Sequence, residues 1–111
     1  METKQIIYEI VEHFKSEIKK ADWENNWGDQ TMTVSIIQDL SNGFCTIGTM
    51  VAYGKLNVDN SSTPGSISLE VEDVDVSINV FDQNEHRIIF PNKGIRVRST
   101  IENELKKYLQ P

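Results

Sequence analysis

From Thr31 to Phe90 apolar side chains recur at alternate positions, and this period of two constrains the chain more than any other feature. Residues that alternate in this way lie on a sheet with one apolar face, and short polar turns between the runs make that sheet antiparallel. The clearest turn is Asn42-Gly43, a dipeptide that tolerates the positive φ of a two-residue type I′ hairpin. With Ser41 facing Phe44, the register sets Leu40 against Cys45, Ile36 against Thr49, Val34 against Val51 and Met32 against Tyr53 on the inward face. The outward face then carries Asp39, Ser35, Thr33 and Thr46, together with Ile37, Phe44 and Met50.

Further on, the inward set changes phase. Val51 and Tyr53 give way to Leu56 and Val58, and Ile67, Leu69 and Val71 give way to Val74, Val76, Ile78 and Val80. Pairing strand 44–58 with strand 67–81 around the loop from Asp59 to Gly65 sets Val58 against Ile67 and Leu56 against Leu69. The slips at Gly54-Lys55 and Glu72-Asp73 then lie side by side, which predicts facing β-bulges and a long bent hairpin arm made by the second and third strands. A turn from Gln83 to Glu85 sets Val80 against Ile88 and Ile78 against Phe90. Pro91 to Gly94 makes another, which sets Phe90 against Ile95 and Ile88 against Val97.

Helical periodicity flanks this region. Residues 3–21 carry Ile7, Ile10, Phe14, Ile18 and Ala21 as one apolar stripe, with Ile6 and Val11 beside it. At the other end Ser99 and Glu102 have capping-box spacing, and Ile101, Leu105, Tyr108 and Leu109 form the buried stripe of a last helix. Gly94 to Arg98 fits either a fifth strand or an extension of that helix. Trp23 and Trp27 fall in the connection after the first helix, where Gly28 allows a reversal that folds both rings back onto the core. The predicted fold is α+β in a single domain over 1–111: a helix, a five-stranded antiparallel meander and a C-terminal helix, both helices on one face of the sheet. A chain of 111 residues buries enough surface to hold such a core without staples.

Charge and motifs narrow the function by exclusion. Seventeen acids against eleven lysines and arginines give a net charge of −6, which repels phosphate backbones and argues against direct nucleic-acid binding. The single cysteine, Cys45, faces inward in this register, and with His13 and His86 it matches no zinc spacing. No phosphate loop, nucleophile elbow or HExxH motif is present, so no catalytic residue, metal or cofactor is expected. The N-terminal residues lack an apolar signal segment and no run reaches membrane-spanning length, which predicts a cytoplasmic protein with no membrane contact.

Two surface constellations remain. Glu70, Glu72, Asp73 and Asp75, continued by Asp82 and Glu85, make a stretch without a single base. It reads first as a solvated acidic patch that discourages edge pairing, and it lacks the glycine-bearing turn of a calcium loop. All three arginines, Arg87, Arg96 and Arg98, fall near the C-terminus, and the register puts them outward with Phe81 and Ile89. Joined by Ile37, Phe44 and Met50, they compose a protein-contact surface. The expected function is therefore a non-enzymatic protein-binding module: a small acidic adaptor, inhibitor or immunity-type protein, working through the outer sheet face or the bent arm, with a homodimer as one form. The alternative is a structural subunit of a larger assembly such as a phage tail or neck. A third is a small-ligand domain with a tryptophan at the mouth of its cavity.

Overall fold

The computed structural model describes residues 3–41, 43–59, 66–88 and 94–110. Its elements are α1 (Thr3–Ile18), β1 (Glu24–Asn26), β2 (Asp29–Asp39), β3 (Cys45–Asp59), β4 (Ser66–Phe81) and α2 (Gly94–Leu109). The strands form one antiparallel sheet in the order β1-β2-β3-β4. Both helices cover one face, α1 against β2, α2 against β4, and each against the other.

Both helices form, but α1 stops at Ile18, short of Ala21, and Ile7, Ala21 and Leu109 of the expected stripes are only half-buried. Ile6, Ile10, Val11, Phe14 and Ile18 are the buried side of α1, and Val97, Ile101 and Leu105 that of α2. Tyr108 is not among them; it lies 40% exposed, its ring beneath the Lys15 ammonium at 5.2 Å. The middle of α1 is tied to the end of β2 by a carboxylate. Ser41 donates its N–H to Glu9 Oε1 at 2.8 Å and its hydroxyl to Oε2 at 3.0 Å, and the backbone donation foremost holds Glu9 below the usual carboxylate range.

Among the described residues the sheet has four strands rather than five. β1 is a short strand that the periodicity does not show. At the other end Ile88 donates to the Val80 carbonyl at 2.7 Å, the expected pairing, but the contact stops at an isolated bridge between Phe81 and Arg87. Gly94 to Arg98 belong to α2, so Ser99 lies inside the helix rather than at its cap. Val97 is buried in line with Ile101 and Leu105, which is why this stretch helps to bury α2 instead of adding a strand. The pairings of Ile78 with Phe90 and of Phe90 with Ile95 fall on residues outside those described.

The β2–β3 register differs from expectation by one residue. Asp39 pairs with Cys45, Ile36 with Gly48, Val34 with Met50 and Met32 with Ala52. The turn closes with Leu40 N–H donating to Phe44 O, Gly43 N–H donating to Leu40 O and Gly43 at φ 86°. A glycine in the left-handed region at the end of a three-residue loop produces this closure, where a two-residue turn would leave the partner strand one residue out of step. A slip of one moves every β3 side chain to the opposite face. Thr46, Gly48, Met50, Ala52 and Gly54 therefore face the helices, and Cys45, Ile47, Val51 and Tyr53 face away.

Between β3 and β4 the expected pairs Val58–Ile67 and Leu56–Leu69 are present. The bulge is one-sided, however. Tyr53 pairs with Asp73 and Gly54 with Val71, which leaves Glu72 as the extra residue on β4. β3 keeps its phase, and only the buried set of β4 jumps, from Val71 to Val74, Val76 and Val80. Gly54 makes room for the bulge, since a Cβ there would stand 2.9 Å from the Glu70 carbonyl oxygen. Beyond Lys55, which pairs with Asp29, β3 and β4 have no third strand among the described residues and run on as a two-stranded ribbon. It gives the molecule its long axis, with extents of 57 × 24 × 20 Å.

Candidate functional site

With both helices on one face, the other face of the sheet is uncovered among the described residues, and the strand register fixes what it presents. Across β2, β3 and β4 run the rows Thr31–Tyr53–Asp73, Thr33–Val51–Asp75, Ser35–Thr49–Ser77, Ile37–Ile47–Asn79 and Asp39–Cys45–Phe81. The face thus changes along its length. Near the ribbon it is acidic around Tyr53 and Val51, at its middle it is lined by small hydroxyls, and toward the β2–β3 turn it is apolar. Ser35 and Thr49 hydroxyls stand 3.5 Å apart in the middle row.

At the apolar end Ile37 is 73% exposed and Ile47 45%. Cys45, Ile47, Phe81, Asp82 and Glu85 line an open depression of about 440 Å³ beside them. Its rim is set by Asp82, whose Oδ1 accepts the N–H groups of Asn84 at 2.8 Å and His86 at 2.9 Å, which folds the 82–86 turn back on itself. These donors, the His86 N–H first, hold the Asp82 carboxyl below its ordinary range. A second open depression, of about 680 Å³, lies on the helical side between Val71 and Asn103, Lys106, Lys107 and Gln110.

The structure separates the residues expected to form one contact surface. Ile37 and Phe81 are on the open face, with Arg87 paired to Phe81 and exposed. Met50 is not: it is fully buried under the helices, because the register slip turns it inward. Phe44 packs half-buried against the core at the turn. Arg96 and Arg98 are exposed on α2, in the other layer of the molecule, since their segment is helical. Ile89 lies outside the described residues. The arginine cluster therefore does not form, and Ile47, Val51, Tyr53 and Cys45 take the places assigned to Phe44 and Met50. The signal that could have found them is the glycine of Ser41-Asn42-Gly43 read as the end of a three-residue loop.

The four acidic residues lie along β4. Glu70, Glu72, Asp73 and Asp75 are all exposed, Glu72 lies 4.0 Å from the Lys55 ammonium, and Asp73 Oδ1 accepts the Val74 N–H at 2.9 Å. Among the described residues no group of His, Cys, Asp and Glu is arranged to hold a metal ion. Nor is any described helix long and apolar enough to cross a membrane.

The two tryptophans part company. Trp23 packs against the core as expected, whereas Trp27 is fully exposed at the tip of the β1–β2 turn. Asn26 pairs with Asp29 across Trp27 and Gly28, whose φ values of 57° and 93° are those of a type I′ turn. The Gly28 carbonyl accepts the Leu56 N–H at 3.2 Å, so this tip lies against the root of the ribbon, where Leu56 is also 41% exposed. Comparison of the chain with known protein families, with curated proteins and with solved structures finds no match.

Proposed function

We propose that the protein is a non-enzymatic protein-binding module that works by occupying a partner's surface with its open sheet face. The observation that carries this reading is the orientation of β3. Its inward set is Thr46, Gly48, Met50, Ala52 and Gly54, while its outward set includes Cys45, Ile47, Val51 and Tyr53. A strand whose bulkier apolar side chains face away from its own core has a face suited to being covered. The charges on that face state the chemistry of the cover. Asp29, Asp39, Asp73 and Asp75 surround the apolar rows against the single cation Lys55 on the same three strands. The matching partner is a protein with a basic rim around an aliphatic or aromatic centre.

A small acidic inhibitor or immunity-type protein fits this description. The test is a comparison of partners captured from cell extract by the wild-type chain, by Ile47→Asp and by Phe81→Asp, at low and high salt. The reading expects a basic partner that binds the wild type, weakens as salt rises, and is lost at least about tenfold with either aspartate. A partner retained equally by both variants, or indifferent to salt, counts against it. The ribbon favours a second reading, a subunit of a larger assembly, because a two-stranded projection with exposed Leu56 and Trp27 at its root could dock onto a neighbour.

A further inference from the structure

The two edges of the sheet are treated very differently. On β4 three outward backbone groups have partners: Glu102 Oε2 accepts the Val76 N–H at 2.7 Å, Ile88 donates to Val80 O, and Asp82 donates to His86 O. The rest of that edge carries the acidic stretch and a bulge, both of which deter strand addition. On β2 the protection stops early. β1 pairs only with residues 29–31, and no described strand lies beside Thr33, Ser35 or Ile37. Leu40 bonds toward β3 through Phe44, so alternation turns the N–H and C=O groups of these odd-numbered residues toward the open edge.

Nothing in the side chains guards this edge. Between Asp29 and Asp39 the strand carries no charge and no proline, and it is rich in threonine, valine and isoleucine. Such an edge is a template for another strand.

We propose that a second copy of this chain occupies it, β2 pairing antiparallel with β2 about a two-fold axis at Ser35. The sequence is self-complementary in that register. Thr33 meets the copy's Ile37 on the open face, which covers a side chain that is 73% exposed. Val34 meets Ile36 on the helical face, so the apolar layer continues across the junction. The pairing is confined to Thr33–Ile37, because β1 already occupies the edge beside Asp29–Thr31, and none of these five residues carries a charge. The result is a continuous sheet with two copies of the open face side by side. This inference rests on the edge and stands independently of the function proposed for the face.

Light scattering on the intact chain across concentration and salt tests it. A net charge of −6 on each copy opposes association at long range, so the dimer tightens as salt rises, opposite to the salt response of a basic partner. Ser35→Pro removes an N–H that the monomer does not use, a substitution edge strands tolerate, and it weakens the dimer at least about a hundredfold. Ser35→Lys sets two lysines face to face across the axis and weakens it about tenfold, partly recovered by salt. Far-UV circular dichroism confirms that each variant is folded, and if the proline disturbs the fold the exposed lysine carries the test. A wild-type chain that stays monomeric into the high micromolar range at high salt overturns the proposal. So does a dimer that survives Ser35→Lys undiminished, since another surface must then hold it.

Discussion

One tight point in the core is a missing side chain. Gly48 lies buried beneath α1, and a Cβ placed there would stand 3.1 Å from Phe14 Cζ, 3.0 Å from Ile78 Cγ2 and 3.4 Å from Ile36 Cγ1. Phe14 has no exposed surface and Ile36 only 2%, so neither has room to retreat, and only the half-buried Ile78 can give way. Replacing Gly48 with alanine therefore overpacks the core. Allowing for the backbone entropy that alanine removes from the unfolded chain, Gly48→Ala is expected to lower stability by about 1–2 kcal/mol. Urea unfolding followed by tryptophan fluorescence reads it, and an unchanged midpoint would mean that the Phe14 ring has freedom its burial denies. The same residue explains why the face of β3 is hard to read from sequence. Alternation weighs hydrophobicity, and by that weight Ile47, Val51 and Tyr53 outrank Gly48, Ala52 and Gly54 for the core. What decides the inward set is that small residues let Phe14 approach the sheet, a requirement of packing against a helix distant in sequence.

At the level of elements, what is local was legible and what depends on turn geometry or distant packing was not. The apolar stripes predict both helices, and the ribbon register of Leu56 with Leu69 follows from the alternation around its loop. The phase jump at Glu72-Asp73 is visible in β4 itself, while the second jump inferred at Gly54-Lys55 is a product of assigning β3 to the wrong face. The contact surface suffers most from this, because exchanging the faces of one central strand replaces Phe44 and Met50 with Ile47 and Tyr53 at a stroke. The role of Glu102 is likewise tertiary. Its spacing from Ser99 suggests a helix cap, yet with α2 beginning at Gly94 the carboxylate instead accepts the Val76 N–H of β4 at 2.7 Å. α2 thus seals the edge strand as well as covering the core. Glu102→Ala leaves that N–H without its acceptor and is expected to cost about 1–3 kcal/mol, with Glu102→Gln retaining most of the stability because its carbonyl can still accept. Amide exchange at Val76 should accelerate in the alanine variant and stay slow in the glutamine one. Equal protection in all three chains would show that the bond does not hold the edge.

The shape of the whole molecule follows from where its core ends. A compact chain of this length has a radius of gyration of about 13 Å. This one has 16.3 Å, in keeping with a ribbon beyond Lys55 and Glu70 that continues past β2. The last buried positions on that side, among the residues whose burial is described, are Gly54 and Val71, and Leu56 beyond them is 41% exposed. Core and ribbon should therefore be separable. Joining Leu56 directly to Leu69 through Asn-Gly keeps their pairing and closes the strands with a two-residue type I′ turn. The shortened chain is expected to melt within about 5 °C of the wild type, a loss of no more than roughly 1 kcal/mol, while its radius of gyration in X-ray scattering falls toward about 13 Å. A larger fall in melting temperature would mean that the ribbon stabilises the core. The same chain also separates the two functional readings. An inhibitor that acts through the sheet face keeps its rows from Thr33–Val51–Asp75 to Asp39–Cys45–Phe81 and so keeps its partner. An assembly subunit that docks through the ribbon loses its neighbour with the fold intact.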